Sequence, residues 1–140
     1  MILFVDDELY RAHYYLEELR GAFGQERVLF RETLDEAEEE LQRYKEIRVL
    51  ILDIMMPPRK GWDSSEVEEG LSSGIKFMED NAALLKDGKI AIVILTNRDV
   101  NKIMDSVEVL RPHVGAVEVH QKTQTPAWLL PTIVQRHLKR

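Results

Sequence analysis

The residues with chemistry to offer stand in four short stretches. Asp6-Asp7-Glu8, Asp53, Thr96-Asn97 and Lys122 each lie at or soon after the end of a run of branched apolar residues. Acids gathered in one pocket raise one another's pKa unless a cation neutralises them. Carboxylates with no Cys or His beside them suit a hard dication of the Mg²⁺ type and make zinc a poor candidate. Next to such an ion an Asp can act as a nucleophile toward phosphorus, while the cation and a lysine stabilise charge on the transferred group. Asp53, with acids and Lys122 as prospective neighbours, is the candidate for that role.

Those stretches meet only if the chain folds to bring them together. Branched runs predict five strands, at Ile2 to Val5, Val28 to Phe30, Val49 to Leu52, Ile90 to Leu95 and Val114 to Val119. Between and after them, apolar residues recur at helical spacing, as in Leu9, Ala12, Leu16, Leu19 and in Ile75, Met78, Ala82, Leu85. The pattern reads as (βα)₅. Continuous apolar strands imply helices on both faces of a parallel sheet. Local signals mark the boundaries: a Thr33/Glu36 capping pair, Gly21 and Gly24 after the first helix, Asp87-Gly88 after the third, and Pro112 closing the fourth. In such a doubly wound sheet, ligands bind outside the carboxyl ends of the strands, where all four polar stretches fall. Residues 54 to 74 resist assignment, with Pro57-Pro58, three glycines and the acids Glu66, Glu68 and Glu69, and read as an inserted loop at about 57–74.

The ordered set resembles the receiver domains of bacterial response regulators over nearly the whole chain. The resemblance implies a flavodoxin-like five-stranded sheet of order 2-1-3-4-5. It makes Asp6 and Asp7 the acidic pair that holds Mg²⁺ and Asp53 both a metal ligand and the phosphoacceptor, with the backbone carbonyl of Met55 completing the protein ligands. Met56-Pro57 matches the family's Met-Pro, Thr96 its switch hydroxyl and Lys122 its lysine. The implied activity is self-phosphorylation and self-dephosphorylation within a phosphorelay, not conventional turnover. The implied partners are a histidine kinase or phosphotransfer protein and a downstream effector. A homodimer through the fourth helix, fifth strand and fifth helix would use the same output surface. Three positions depart from the pattern: Thr123 replaces the proline that gives the family its cis peptide after the lysine, Val119 replaces an aromatic residue, and Asn97 replaces a small one.

Other residues admit plainer readings. Asp6 and Asp7 could complement a helix dipole, and Thr96 could cap the helix starting near Asp99. His13, His113, His120 and His137 lack metal-ligand spacing and read as surface or packing residues; Trp128 reads as a packing group. Two other functions compete with the phosphoacceptor: a pseudo-receiver that binds proteins without phosphoryl transfer, and a Mg²⁺-dependent phosphohydrolase. The hydrolase lacks its usual second acid, since Met55 stands two positions after Asp53.

Composition bounds the rest. A chain of 140 residues suits one domain, 1–140. The absence of cysteine excludes disulfides and thiol chemistry. A net charge of −6 disfavours direct nucleic-acid binding, despite the basic tail Arg136, Lys139 and Arg140. No apolar run approaches membrane-spanning length, so no membrane association and a cytoplasmic location are expected. With no effector domain after residue 140, output is expected through another chain or through sequence outside this one.

Overall fold

The computed structural model describes residues 1–70 and 72–139, without the side chain of Glu69. The Glu69 carboxylate of the acidic patch and Arg140 of the tail therefore lie outside the described residues. Five parallel strands, β1 (Ile2–Val5), β2 (Val28–Arg31), β3 (Val49–Leu52), β4 (Ala91–Thr96) and β5 (Val117–Gln121), form one sheet in the order β2-β1-β3-β4-β5. This is the expected flavodoxin-like order. The helices are α1 (Leu9–Phe23), α2 (Leu34–Arg43), α3 (Ser73–Asp80), α4 (Ala82–Asp87), α5 (Met104–Val114) and α6 (Leu130–Leu138).

Successive strand residues point to opposite faces, and here both faces are apolar. Leu3, Val5, Leu50, Leu52, Ile92 and Ile94 pack with residues of α2 to α5. Ile2, Phe4, Val49, Ile51, Val93 and Leu95 pack with residues of α1 and α6. Each such side chain stabilises the fold by ~1.5–3 kcal/mol relative to exposure, so the strand ends are firmly held supports for polar groups. Two backbone bonds extend the ladder beyond the strands, Asp6 N to Arg31 O (3.1 Å) and Asp53 N to Val5 O (3.3 Å). They set the first acids of β1 and β3 side by side.

The Thr33 cap forms as expected: its hydroxyl accepts from Glu36 N (3.1 Å) and donates to the Glu36 carboxylate (3.0 Å). Other boundaries differ from the sequence reading. Gly21 lies within α1, which ends at Gly24. Pro112 does not close its helix. It sits in the last turn of α5, which runs to Val114 and stops at Gly115, so β5 begins at Val117 and not at Val114. A proline there removes one helical hydrogen bond close to an end where the turn is ending anyway, and burial of Val114 favours the extra turn. The third helix is broken at Asn81, whose side-chain amide donates to the Phe77 carbonyl (2.9 Å). Periodicity misses the break because Ile75, Met78 and Leu85 are buried on both sides of it. The fourth and fifth helices of the sequence pattern are thus α5 and α6. Trp128 is 66% exposed and is no packing group.

The insertion is a packed element. It contains a 3-10 stretch, Ser64–Gly70, that buries Val67 completely. Arg59 pins its start to α2 through Asp35 (3.1 Å) and Glu38 (3.0 Å). Its last residues already belong to α3, and there Gly74 donates its amide to the Ile54 carbonyl (2.9 Å). A Cβ at Gly74 would stand 2.8 Å from both the Asp53 carbonyl oxygen and Ile54 Cα. Only glycine lets α3 start against the segment that carries Asp53.

Candidate functional site

Asp6 and Asp7 leave β1, Asp53 leaves β3, and one ligand atom of each lies within 4.8 Å of the other two. Among the described residues this is the one cluster of three or more potential metal ligands. Asp6 and Asp53 are 1% and 3% exposed. Both are oriented by backbone amides: Asp6 Oδ1 accepts from Glu8 N (2.9 Å) and Asp53 Oδ1 from Met55 N (3.0 Å). Their other oxygens share one cation, since Lys122 Nζ donates to Asp6 Oδ2 (2.7 Å) and Asp53 Oδ2 (2.9 Å). Residues 116 and 69 positions apart are thereby joined.

One ammonium cannot balance three carboxylates. Burial holds the Asp6 carboxyl above the ordinary aspartate range against the pull of Lys122. Burial also raises Asp7, with the charges of Asp53 and Glu8 adding to the effect. For Lys122, burial acts to lower the pKa, but the attraction of Asp53 and Asp6 and the two hydrogen bonds outweigh it, so the ammonium is held above its usual value. Asp7 Oδ1 is buried with no hydrogen-bond partner. A buried carboxylate oxygen left unpaired is costly, and a dication coordinated by oxygen would satisfy it while neutralising the excess charge. The donor set fits Mg²⁺.

The structure brings four of the six anticipated site residues into direct relation: Asp6, Asp7, Asp53 and Lys122. Met55 enters through its amide, as noted. Thr96 lies at the same sheet edge, paired in register with Gln121 and fully buried, but its hydroxyl accepts from Arg98 N (3.2 Å). The peptide bond between Lys122 and Thr123 is trans. Four residues that the motifs did not single out also shape the site. Gly74 backs Asp53, Arg98 meets Glu68 of the insertion at 3.0 Å, and Tyr15 and Thr125 hold the turn carrying Lys122. Gly74, Arg98 and Tyr15 carried no local signal because they act on partners distant in sequence, whereas Thr125 bonds the Gln121 carbonyl only four residues back.

No family model and no curated protein sequence matches the chain. Solved structures do. The signal receiver domain of a DNA-binding response regulator protein from Colwellia psychrerythraea aligns with a TM-score of 0.67 at 18% identity, over 99% of this chain and 98% of that one. The chain has the receiver-domain fold. A CheY-like response-regulator receiver domain protein from Methanospirillum hungatei gives a TM-score of 0.62 at 17% identity, over 99% of this chain and 93% of its own. The isolated receiver domain of RcsB from Salmonella enterica serovar Typhimurium, solved in the presence of the phosphomimetic BeF3-, gives 0.63 at 19% identity, over 99% and 87%. In this receiver fold the acids occupy the carboxyl edge of the sheet, and among the described residues no helix is long and apolar enough to cross a membrane.

Proposed function

We propose that this chain is a phosphoacceptor receiver domain that takes a phosphoryl group on Asp53 in a Mg²⁺-dependent reaction and switches partners in a phosphorelay. The carrying observation is the convergence of Asp6, Asp7 and Asp53 with Lys122 bridging two of them. Asp6, Asp7, Asp53 and the Met55 carbonyl hold Mg²⁺, which when bound supplies positive charge to phosphoryl oxygens. A carboxylate oxygen of Asp53 attacks phosphorus, forming the acyl phosphate O–P bond as the donor's P–N or P–O bond breaks; the donor retains the electron pair. Lys122 releases its hold on Asp53 Oδ2 and donates to the transferred group. Thr96 exchanges its bond with the Arg98 amide for one to a phosphoryl oxygen, which draws β4 and the connection to α5 inward. The added charge biases a two-state element.

A histidine kinase or phosphotransfer protein supplies the phosphoryl group, and an effector, or a second copy of the chain, reads the surface of α5, β5 and α6. The chain acts as one domain, in the cytoplasm, without contacting nucleic acid directly. A second reading, a binding module that undergoes no phosphoryl transfer, draws on the 3% exposure of Asp53 beneath Lys122.

Incubation with Mg²⁺ and acetyl phosphate, followed by intact-mass measurement, separates the two. The expected result is a single phosphoryl adduct that hydroxylamine removes, that needs Mg²⁺ and that is lost in Asp53→Ala. A protein that binds Mg²⁺ yet takes no adduct leaves the binding module standing instead.

A further inference from the structure

Lys122 stands beyond the end of the β5 ladder, on a single 3-10 turn, Lys122–Gln124. The turn closes with a backbone bond from Thr125 N to the Lys122 carbonyl (3.2 Å). Two hydroxyls add side-chain restraint. Tyr15, midway along α1, donates its phenol hydroxyl toward the carbonyl oxygens of Lys122 (3.3 Å) and Thr125, the latter contact being the shorter. Thr125, 2% exposed, donates its own hydroxyl to the Gln121 carbonyl (2.8 Å). The carbonyls on both sides of Lys122 are therefore fixed by side chains, one of them from the far end of the sequence.

A lysine has four rotatable bonds and a compact ammonium, so where Nζ stands depends on where its backbone is anchored. Here Nζ must reach Asp6 and Asp53 together, at 2.7 and 2.9 Å. Misplacing a reacting group by about 1 Å can cost up to about 100-fold in rate. We propose that Tyr15 and Thr125 are positioning residues for Lys122: their hydroxyls fix the turn that carries it and thereby set its ammonium over the phosphoacceptor. The inference rests on the phosphoacceptor reading and adds α1 to the machinery of the site.

The ring of Tyr15 also packs against the core on the α1 and α6 side. Tyr15→Phe keeps that packing and removes only the hydroxyl; Thr125→Val keeps the shape, and Thr125→Ser keeps the hydroxyl. With acetyl phosphate and saturating Mg²⁺, Tyr15→Phe and Thr125→Val should each slow phosphorylation about 10-fold, with the Mg²⁺ dissociation constant changed less than about twofold and Thr125→Ser close to wild type. In a Lys122→Ala background Tyr15→Phe should have no further effect, because residues acting through one group are not additive. Equal slowing in both backgrounds, or no slowing in either, overturns the assignment. If the wild-type protein takes no phosphoryl group, the functional reading fails and the positioning is still tested by amine labelling of Lys122, quantified by peptide mass. Labelling that rises in Tyr15→Phe and Thr125→Val supports it, and unchanged labelling overturns it.

Discussion

The two halves of the site are held by different means. β1 and β3 deliver Asp6, Asp7 and Asp53 on strand ends, with Asp6 and Asp53 each held by backbone amides within two residues. β4 and β5 deliver Thr96 and Lys122 at their ends, where Thr96 also accepts from an amide two residues on but side chains supply further restraint: Glu68 through Arg98, Tyr15 from α1, and Thr125 of the turn itself around Lys122. The acidic half carries more negative charge than Lys122 balances, an excess that oxygen-bound Mg²⁺ would relieve. The other half is held by a few side-chain hydrogen bonds, the ones that the proposed switch would exchange.

The sharpest way to break this contrast is to remove the one group joining the halves. Lys122→Ala leaves Asp6 and Asp53 buried without their cation, and the loss of a buried pair's partner costs ~3–5 kcal/mol. Urea unfolding should show a loss of that order in metal-free protein and a partial recovery with Mg²⁺. A variant as stable as wild type in chelator would mean that the lysine is not what balances these acids.

The rigid half is next. In Gly74→Ala the new methyl meets the Asp53 carbonyl and Ile54 Cα, both backbone atoms. Overpacking of this kind costs ~1–3 kcal/mol, and a weaker Mg²⁺ affinity should accompany the lower melting temperature. Unaltered Mg²⁺ binding would show that Asp53 tolerates displacement.

Titration separates the halves by pH window. Asp6 and Asp7 have raised pKa values in the folded chain, so the folded state binds more protons than the unfolded state above the ordinary aspartate range. Metal-free stability should therefore fall as pH rises from about 4 through that window, and saturating Mg²⁺ should flatten the slope. Lys122, also held above its usual value, loses stability in the same direction but in a far higher window: its contribution is complete at neutral pH and disappears only as pH climbs past about 10.4. Denaturation midpoints measured from pH 4 to about 11, with chelator throughout and with Mg²⁺ up to pH 8, provide the comparison.

The smallest effect belongs to the insertion. Glu68 is largely exposed, so Glu68→Gln should change global stability by at most ~0.2–1 kcal/mol. Amide exchange in residues 96 to 99 should nevertheless quicken, because Arg98 donates its amide to Thr96 while its side chain holds Glu68. Exchange identical to wild type would detach the insertion from the β4 and β5 half.

The sequence by itself determined the sheet. β1 and β3 fall where their branched runs stand, because a strand buried on both faces leaves no other pattern. The motif residues at four strand ends then had to share one edge, since parallel topology places all carboxyl ends together. What the tertiary structure alone decided is which groups touch. The course of α5 through Pro112, the docking of the insertion on α2 and the anchoring of Lys122 by Tyr15 follow from contacts between residues far apart in the chain. Local propensity and spacing carry no record of such contacts, because their energy exists only once packing has brought both partners within reach.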